Sequence, residues 1–303
     1  MGLFNTDYSK PGPGIYKNSP PKKGLKLFYD ILFRKIWDII RLNVLYMLTL
    51  LPTFAVVFVL SGMISNQTGM TSDALMSLSE RLGAGFSEAD AARISITTDL
   101  LTRLYISLFF AVFWGGGPAT AGFVYILRSY IWEDPVFPVS DCFEHIKSNF
   151  RQSITVWIID IAVFIVTCYA YFFYGSMPGI LYYLKYVILV LAFFYTLLHL
   201  FLYHLLVTYK LTIGKLYKNA ALFALSSLPW CVLTIAATAF IILIFPAIGF
   251  SAGSQKISIF FITLSFAFIL ILLYGVCGLI IEFNACRQIR KYIKEDSGVE
   301  RNE

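Results

Sequence analysis

Residues 104–127 read LYISLFFAVFWGGGPATAGFVYIL, twenty-four positions without a single charged side chain. A helix rises about 1.5 Å per residue, so about 20 apolar residues cross the roughly 30 Å hydrocarbon core of a bilayer. A water-facing helix of this length would carry a polar stripe, and none is present. Five further stretches meet the same criterion: Asn43–Ile64, Ile154–Tyr174, Ile180–Leu206, Ala220–Phe250 and Ile257–Phe283. The fourth and fifth of the six are longer than a bilayer requires, which predicts tilt or continuation into water. No segment alternates polar and apolar residues with the period of two that marks a membrane barrel. The expected fold is therefore all-α: a polytopic bundle of six transmembrane helices, with span two broken at Gly115-Gly116-Gly117-Pro118.

Composition agrees. Hydrophobic residues make up 58% of the 303 positions and charged residues 14%, against about 45–50% and about 25% in soluble domains. Mean hydropathy is +0.73, and 28 phenylalanines and 19 tyrosines are present. A soluble enzyme, a secreted disulfide domain and a disordered chain are excluded, because none could hide or tolerate so much apolar surface.

The spans divide the chain into a polar, proline-bearing tail over residues 1–24, an amphipathic segment over 25–42, the membrane domain over 43–283 with an outer loop at 65–103, and a tail over 284–303. The first 24 residues lack the apolar core of a signal peptide, so span one is expected to act as the targeting signal. Nineteen of the 24 lysines and arginines fall in the N-terminal segment, the loops after spans two and four, and the C-terminal tail, while four fall in the opposite loops. That asymmetry predicts both termini on the cytoplasmic side of the cell membrane. The net charge of +6 follows from this sidedness and from anionic lipid, so nucleic acid is not expected as a partner.

In the segment 25–42, Lys26, Asp30, Arg34 and Asp38 form one stripe at i, i+4 spacing, with apolar residues around the other side. An interfacial helix is the direct expectation, and a docking helix for a partner is the alternative. In the outer loop, Thr71 or Ser72 and Ser87 are candidate N-caps, predicting two short helices separated by Gly83-Ala84-Gly85. The five cysteines show no paired spacing. Cys142 and Cys286 are expected to face the cytoplasm, and neither disulfides nor a zinc site is anticipated.

The residues that stand out are Gly115, Gly116, Gly117, Pro118, Thr120, Gly122, Asp160, His199 and His204. Glycine and proline inside a span cost about 1 and about 3 kcal/mol against alanine. A broken span is tolerated only where protein or a water-filled cavity satisfies the freed backbone groups. Such breaks either build a transporter's substrate site, with helix N-terminal amides turned toward a ligand, or let neighbouring helices approach closely. Asp160, six residues into span three, lies roughly 9 Å below the boundary and is expected to face the bundle, where Thr155, Thr196, Thr234 or a histidine can satisfy it. Either an ion-coupling or a structural role is open to it. His199 and His204 are five apart and so about 140° around a helix, which rules out joint metal ligation in the i, i+4 manner and favours packing or interfacial roles. Glu282 is expected to pair with the basic tail, and the aromatics around Lys185 to anchor at the headgroups. No catalytic, cofactor-binding or metal-ligating set emerges.

Gly117-Pro118-Ala119-Thr120-Ala121, then Lys147-Ser148-Asn149-Phe150-Arg151-Gln152-Ser153, and Lys218-Asn219-Ala220-Ala221-Leu222 with Leu228-Pro229 beyond it, resemble the YesL family of bacterial integral membrane proteins. The opening Met1-Gly2-Leu3-Phe4 and Pro11-Gly12-Pro13-Gly14 are similar to openings in that family, and the likeness covers most of the chain. The family has no established activity and no assigned catalytic residues. The resemblance implies a setting beside sugar-uptake transporters and polysaccharide-degrading enzymes, although the outer loop here is longer than is usual. The expected function is thus non-enzymatic and cofactor-free: an accessory or regulatory component of carbohydrate uptake, with ABC-type sugar transporter subunits or a second copy of the chain as partners. The alternative is a small-molecule or ion transporter or channel that uses the broken span two and Asp160.

Overall fold

The computed structural model describes residues 24–68, 72–82, 87–251 and 255–293. Among these, all regular structure is helical: α1 (Leu25–Arg34), α2 (Ile36–Leu60), α3 (Gly62–Thr68), α4 (Ser72–Leu82), α5 (Glu88–Phe113), α6 (Pro118–Trp132), α7 (Pro138–Ser148), α8 (Phe150–Gly175), α9 (Leu184–Thr208), α10 (Ile213–Ser226), α11 (Leu228–Ser251), α12 (Gln255–Phe268) and α13 (Tyr274–Ile293). A 3₁₀ turn over Gly179–Tyr183 leads into α9, and a π turn over Ile269–Leu273 joins α12 to α13. Six of the resulting rods are long and apolar enough to cross a membrane, and only 22% to 33% of each apolar window is buried inside the protein. The remaining apolar surface faces outward, and lipid is the solvent that accepts it. This is a multi-pass membrane protein.

The amphipathic segment 25–42 is not one helix. The chain breaks at Lys35, and residues 36–42 belong to the rod that crosses the membrane. Ile31 is fully buried, Phe28 packs edge-on against Phe283 at 5.5 Å, and Arg34 pairs with Glu133 at 2.5 Å. The other face of this segment turns Leu25, Tyr29, Phe33 and Trp37 outward, each between 54% and 72% exposed.

The outer loop holds more helix than its sequence suggests. Ser87 caps α5 in a reciprocal capping box with Asp90, but that helix is not short: it runs without interruption for 26 residues into the membrane. Thr71 and Gly83-Ala84-Gly85 lie outside the described residues.

Helices α5 and α6 together make the second crossing, as α2 shows. Passing up α2 from its start, Lys35 lies over the Tyr130 ring and Tyr46 bonds Thr120. Higher up, Leu50 abuts Gly116 and Ser65 reaches Asp99. The partner numbers fall steadily as the α2 numbers rise, so α2 runs antiparallel to one continuous but broken span. Its break lies at Trp114–Gly117, between Phe113 and Pro118.

The long fifth stretch, Ala220–Phe250, also divides. Helix α10 stops at Ser226, and α11 restarts at Leu228, where Pro229 lacks the N–H a continuing helix would need. Spans one and six are tied by Asn43. Its Nδ2 donates to the Leu270 carbonyl at 2.8 Å, and its Oδ1 accepts from the Gly275 N–H at 3.0 Å. A π turn frees backbone groups from the regular ladder, and a single amide side chain from α2 satisfies one group within it and one just beyond it.

Candidate functional site

The break in span two satisfies itself. Gly115 and Gly117 adopt φ of 78° and 63°, a region that side-chain-bearing residues avoid. The freed N–H of Gly116 donates to Thr120 Oγ1 at 2.6 Å, and that of Gly117 donates to the Tyr203 hydroxyl at 3.2 Å. Thr120 is held in turn by the Tyr46 hydroxyl at 2.7 Å. The Gly116 and Gly117 amides are therefore committed to hydroxyls of α6 and α9 rather than turned toward a ligand, and Pro118 has none to offer. Gly122 serves close packing, since a Cβ there would sit 2.5 Å from the Cys142 carbonyl oxygen of α7.

What the break positions is Trp114. Its Nε1 donates to Thr196 at 3.0 Å, and its ring stacks on His199 with centroids 6.2 Å apart. Tyr195 and Tyr203, at 4.9 and 6.1 Å, complete an aromatic box around the imidazole.

Asp160 enters this box from α8. It lies about 15 Å along that helix from Phe150, taking about 1.5 Å per residue. It is fully buried and His199 is 4% exposed. Asp160 Oδ1 accepts from the Tyr195 hydroxyl at 2.6 Å and lies 2.8 Å from His199 Nε2. The imidazole N–H is out of line for a regular hydrogen bond, and Asp160 Oδ2 and His199 Nδ1 have no partner among the described residues. Thr155, Thr196 and Thr234 instead bond carbonyls of their own helices, so of the partners expected for Asp160 the histidine is the one realised. Tyr195 continues the chain to the half-buried Tyr217 hydroxyl of α10 at 3.3 Å. Burial pushes the Tyr217 hydroxyl up to about 12, so at neutral pH it is an uncharged group able to donate or accept.

Glu282 departs from expectation, and His204 takes the packing rather than the interfacial alternative. Neither is interfacial, and Glu282 does not pair with the basic tail: at 2% exposure it contacts His204 Nδ1 directly in the interior. Cys142 and Cys286 are likewise buried rather than facing solvent. A cavity of about 40 Å³, mostly apolar in its walls, is reached by the polar side chains of Tyr46, Thr120, His199, Tyr203, His204 and Glu282. That volume holds about one to three water molecules.

The site therefore comprises two carboxylate–imidazole pairs whose histidines face a shared cavity inside an apolar bundle, with a hydroxyl path from Asp160 to α10. Such pairs hold and pass protons, and ionisable groups at this depth mark ion or substrate pathways in membrane proteins. Sequence reasoning located Asp160, both histidines and Thr120. It missed the roles of Tyr195, Tyr203, Trp114 and Asn43. Asn43 alone carried a signal, as an amide at the edge of an apolar run. No family model, curated protein or solved structure matches this chain.

Proposed function

We propose that this membrane protein is a proton-coupled transporter of a small molecule or ion, with Asp160 and His199 as its coupling pair. The observation that carries this reading is the buried contact between Asp160 Oδ1 and His199 Nε2, which leaves Asp160 Oδ2 and both imidazole nitrogens without a regular hydrogen bond among the described residues. A buried ion pair is weak evidence for stability, because desolvation offsets its attraction. Orphaned polar atoms cost a further about 1–3 kcal/mol each. A site under that cost is poised to take up or lose a proton as the groups around it rearrange.

The Tyr195–Tyr217 hydroxyls offer the pair a route to α10, on the face that the lysine and arginine asymmetry assigns to the cytoplasm. The central cavity offers space for water or part of a substrate on the other side of His199. The break in span two contributes by aiming Trp114 at His199, not by presenting amides.

The test is reconstitution in liposomes with a trapped pH dye and a panel of mono- and disaccharides, a choice that follows the family resemblance. Sugar-dependent proton movement that disappears in Asp160→Asn, with the variant eluting as the wild type does, is the expected result. Unchanged flux in that variant overturns the reading.

A second, also non-enzymatic reading is the accessory subunit of an ABC-type sugar transporter. It is favoured by the outward stripe of Leu25, Tyr29, Phe33 and Trp37, a ready contact surface for another membrane protein. Its mark would be silent liposomes together with co-purification of permease subunits, lost when Phe33 and Trp37 are both changed to serine.

A further inference from the structure

Glu282 and Cys286 stand four residues apart on one face of α13, and His204 meets them from α9. All three are buried, and one ligand atom from each lies within 4.8 Å of the others. Cys286 Sγ is 3.8 Å from His204 Nδ1 and 3.5 Å from Glu282 Oε1. Bond lengths of about 2.3 Å to sulfur and about 2.0–2.1 Å to nitrogen and oxygen place the donors of a tetrahedral site roughly 3.3–3.6 Å apart. Both sulfur separations are close to that spacing, and only the His204–Glu282 contact has to open.

Charge balance points the same way. A thiolate, a carboxylate and a neutral imidazole carry two negative charges, which a divalent cation cancels. A neutral assembly is the form that a low-dielectric interior tolerates best. A thiol that coordinates a divalent ion gives up its proton to the charge of that ion. His204 and Glu282 also line the 40 Å³ cavity, so a fourth coordination position is open to water or to a substrate atom, as in sites that do more than hold the fold together.

We infer that His204, Glu282 and Cys286 bind one divalent transition-metal ion of borderline softness, such as Zn²⁺ or Co²⁺. One sulfur, one nitrogen and one oxygen donor select against Mg²⁺ and Ca²⁺, which take oxygen alone. Cysteine spacing could not reveal this set, because its histidine comes from a helix 78 residues earlier in the chain. The inference stands apart from the proton-coupling proposal, which rests on Asp160 and His199.

The experiment is growth in cobalt-supplemented minimal medium, tag-free purification in detergent without chelator, and measurement of bound metal and absorption. About one cobalt per chain, with a thiolate-to-cobalt charge-transfer band in the near ultraviolet, is expected for the wild type. Cys286→Ser loses the band, and Glu282→Gln, which keeps shape but loses charge, weakens cobalt binding at least about tenfold. Both variants are compared at matched elution volume, and Cys168→Ser, a free cysteine of α8 outside the set, keeps the full band. A wild type without stoichiometric metal overturns the inference, as does a band that survives in Cys286→Ser.

Discussion

The contact between Asp160 and His199 predicts a specific failure of additivity. Removing His199 as His199→Phe keeps the aromatic box filled but strips Asp160 of its only nitrogen partner, leaving the Tyr195 hydroxyl as its sole bond. Breaking one side of a buried pair costs about 3–5 kcal/mol, because the other charge is left uncompensated. Asp160→Leu removes the carboxylate instead; the Tyr195 hydroxyl keeps its 3.3 Å contact with Tyr217, while the imidazole loses its partner at about 1–3 kcal/mol. The double variant carries neither polar group, and apolar replacement of a whole buried pair is commonly neutral. His199→Phe should therefore lose about 3 kcal/mol or more and Asp160→Leu about 1–3 kcal/mol, while the double loses less than their sum by at least about 1 kcal/mol. Denaturant titration in mixed micelles, followed by tryptophan fluorescence and repeated for all four proteins, measures that coupling. Losses that simply add would show that the two residues do not share a charge, and the proton-coupling proposal would fall with them.

Three other outcomes follow from the fold. Asn43→Ala strands the Leu270 carbonyl and the Gly275 N–H in the interior, so it should cost about 2–6 kcal/mol in the same titration, at about 1–3 per orphaned group; a loss below 1 kcal/mol would mean that the π turn holds without it. Gly117→Ala meets both a φ of 63° and a Trp157 Cβ 2.9 Å from the added methyl, and should lower stability by about 1–3 kcal/mol, whereas a neutral result would show that the break can re-form. His145, stacked on Tyr125 at 3.3 Å, has its pKa pulled below 6.5 by burial first and by Arg128 next, against weaker opposing effects of Glu144 and Asp141. With the folded value below the unfolded one, the unfolded chain binds more protons between them. The stabilisation is full above pH 6.5 and shrinks as pH falls toward the lowered value. Thermal unfolding of His145→Phe against wild type between pH 8 and about pH 5 should show that difference narrowing on acidification, and widening would reverse the assignment.

The overall architecture was legible because lipid imposes a simple rule. Twenty consecutive apolar residues announce a membrane crossing wherever they occur, and Gly115-Gly116-Gly117-Pro118 announces a break wherever it falls in a helix. Boundaries were less legible, because apolarity measures where lipid lies rather than where helix ends. Helix α5 begins at Glu88, well outside the apolar window, and the continuous apolar run from Ala220 to Phe250 conceals a stop at Ser226.

Partner choice was not legible at all. Asp160 could be recognised as costly from its position, yet nothing in the chain distinguishes His199 or Tyr195 as its satisfiers over Thr155, which bonds its own helix instead. Glu282 looked like a mate for nearby basic residues because sequence neighbours are the only neighbours a sequence displays. The tertiary packing of α9 against α13 brings His204 to it from 78 positions away. By itself the sequence determined that this chain is a six-span helical membrane protein broken in its second span, because hydrocarbon solvent reads local composition. Which polar groups meet in the interior was decided only by the packing of the helices, since rotation and register are set by side-chain contacts between segments far apart in the chain.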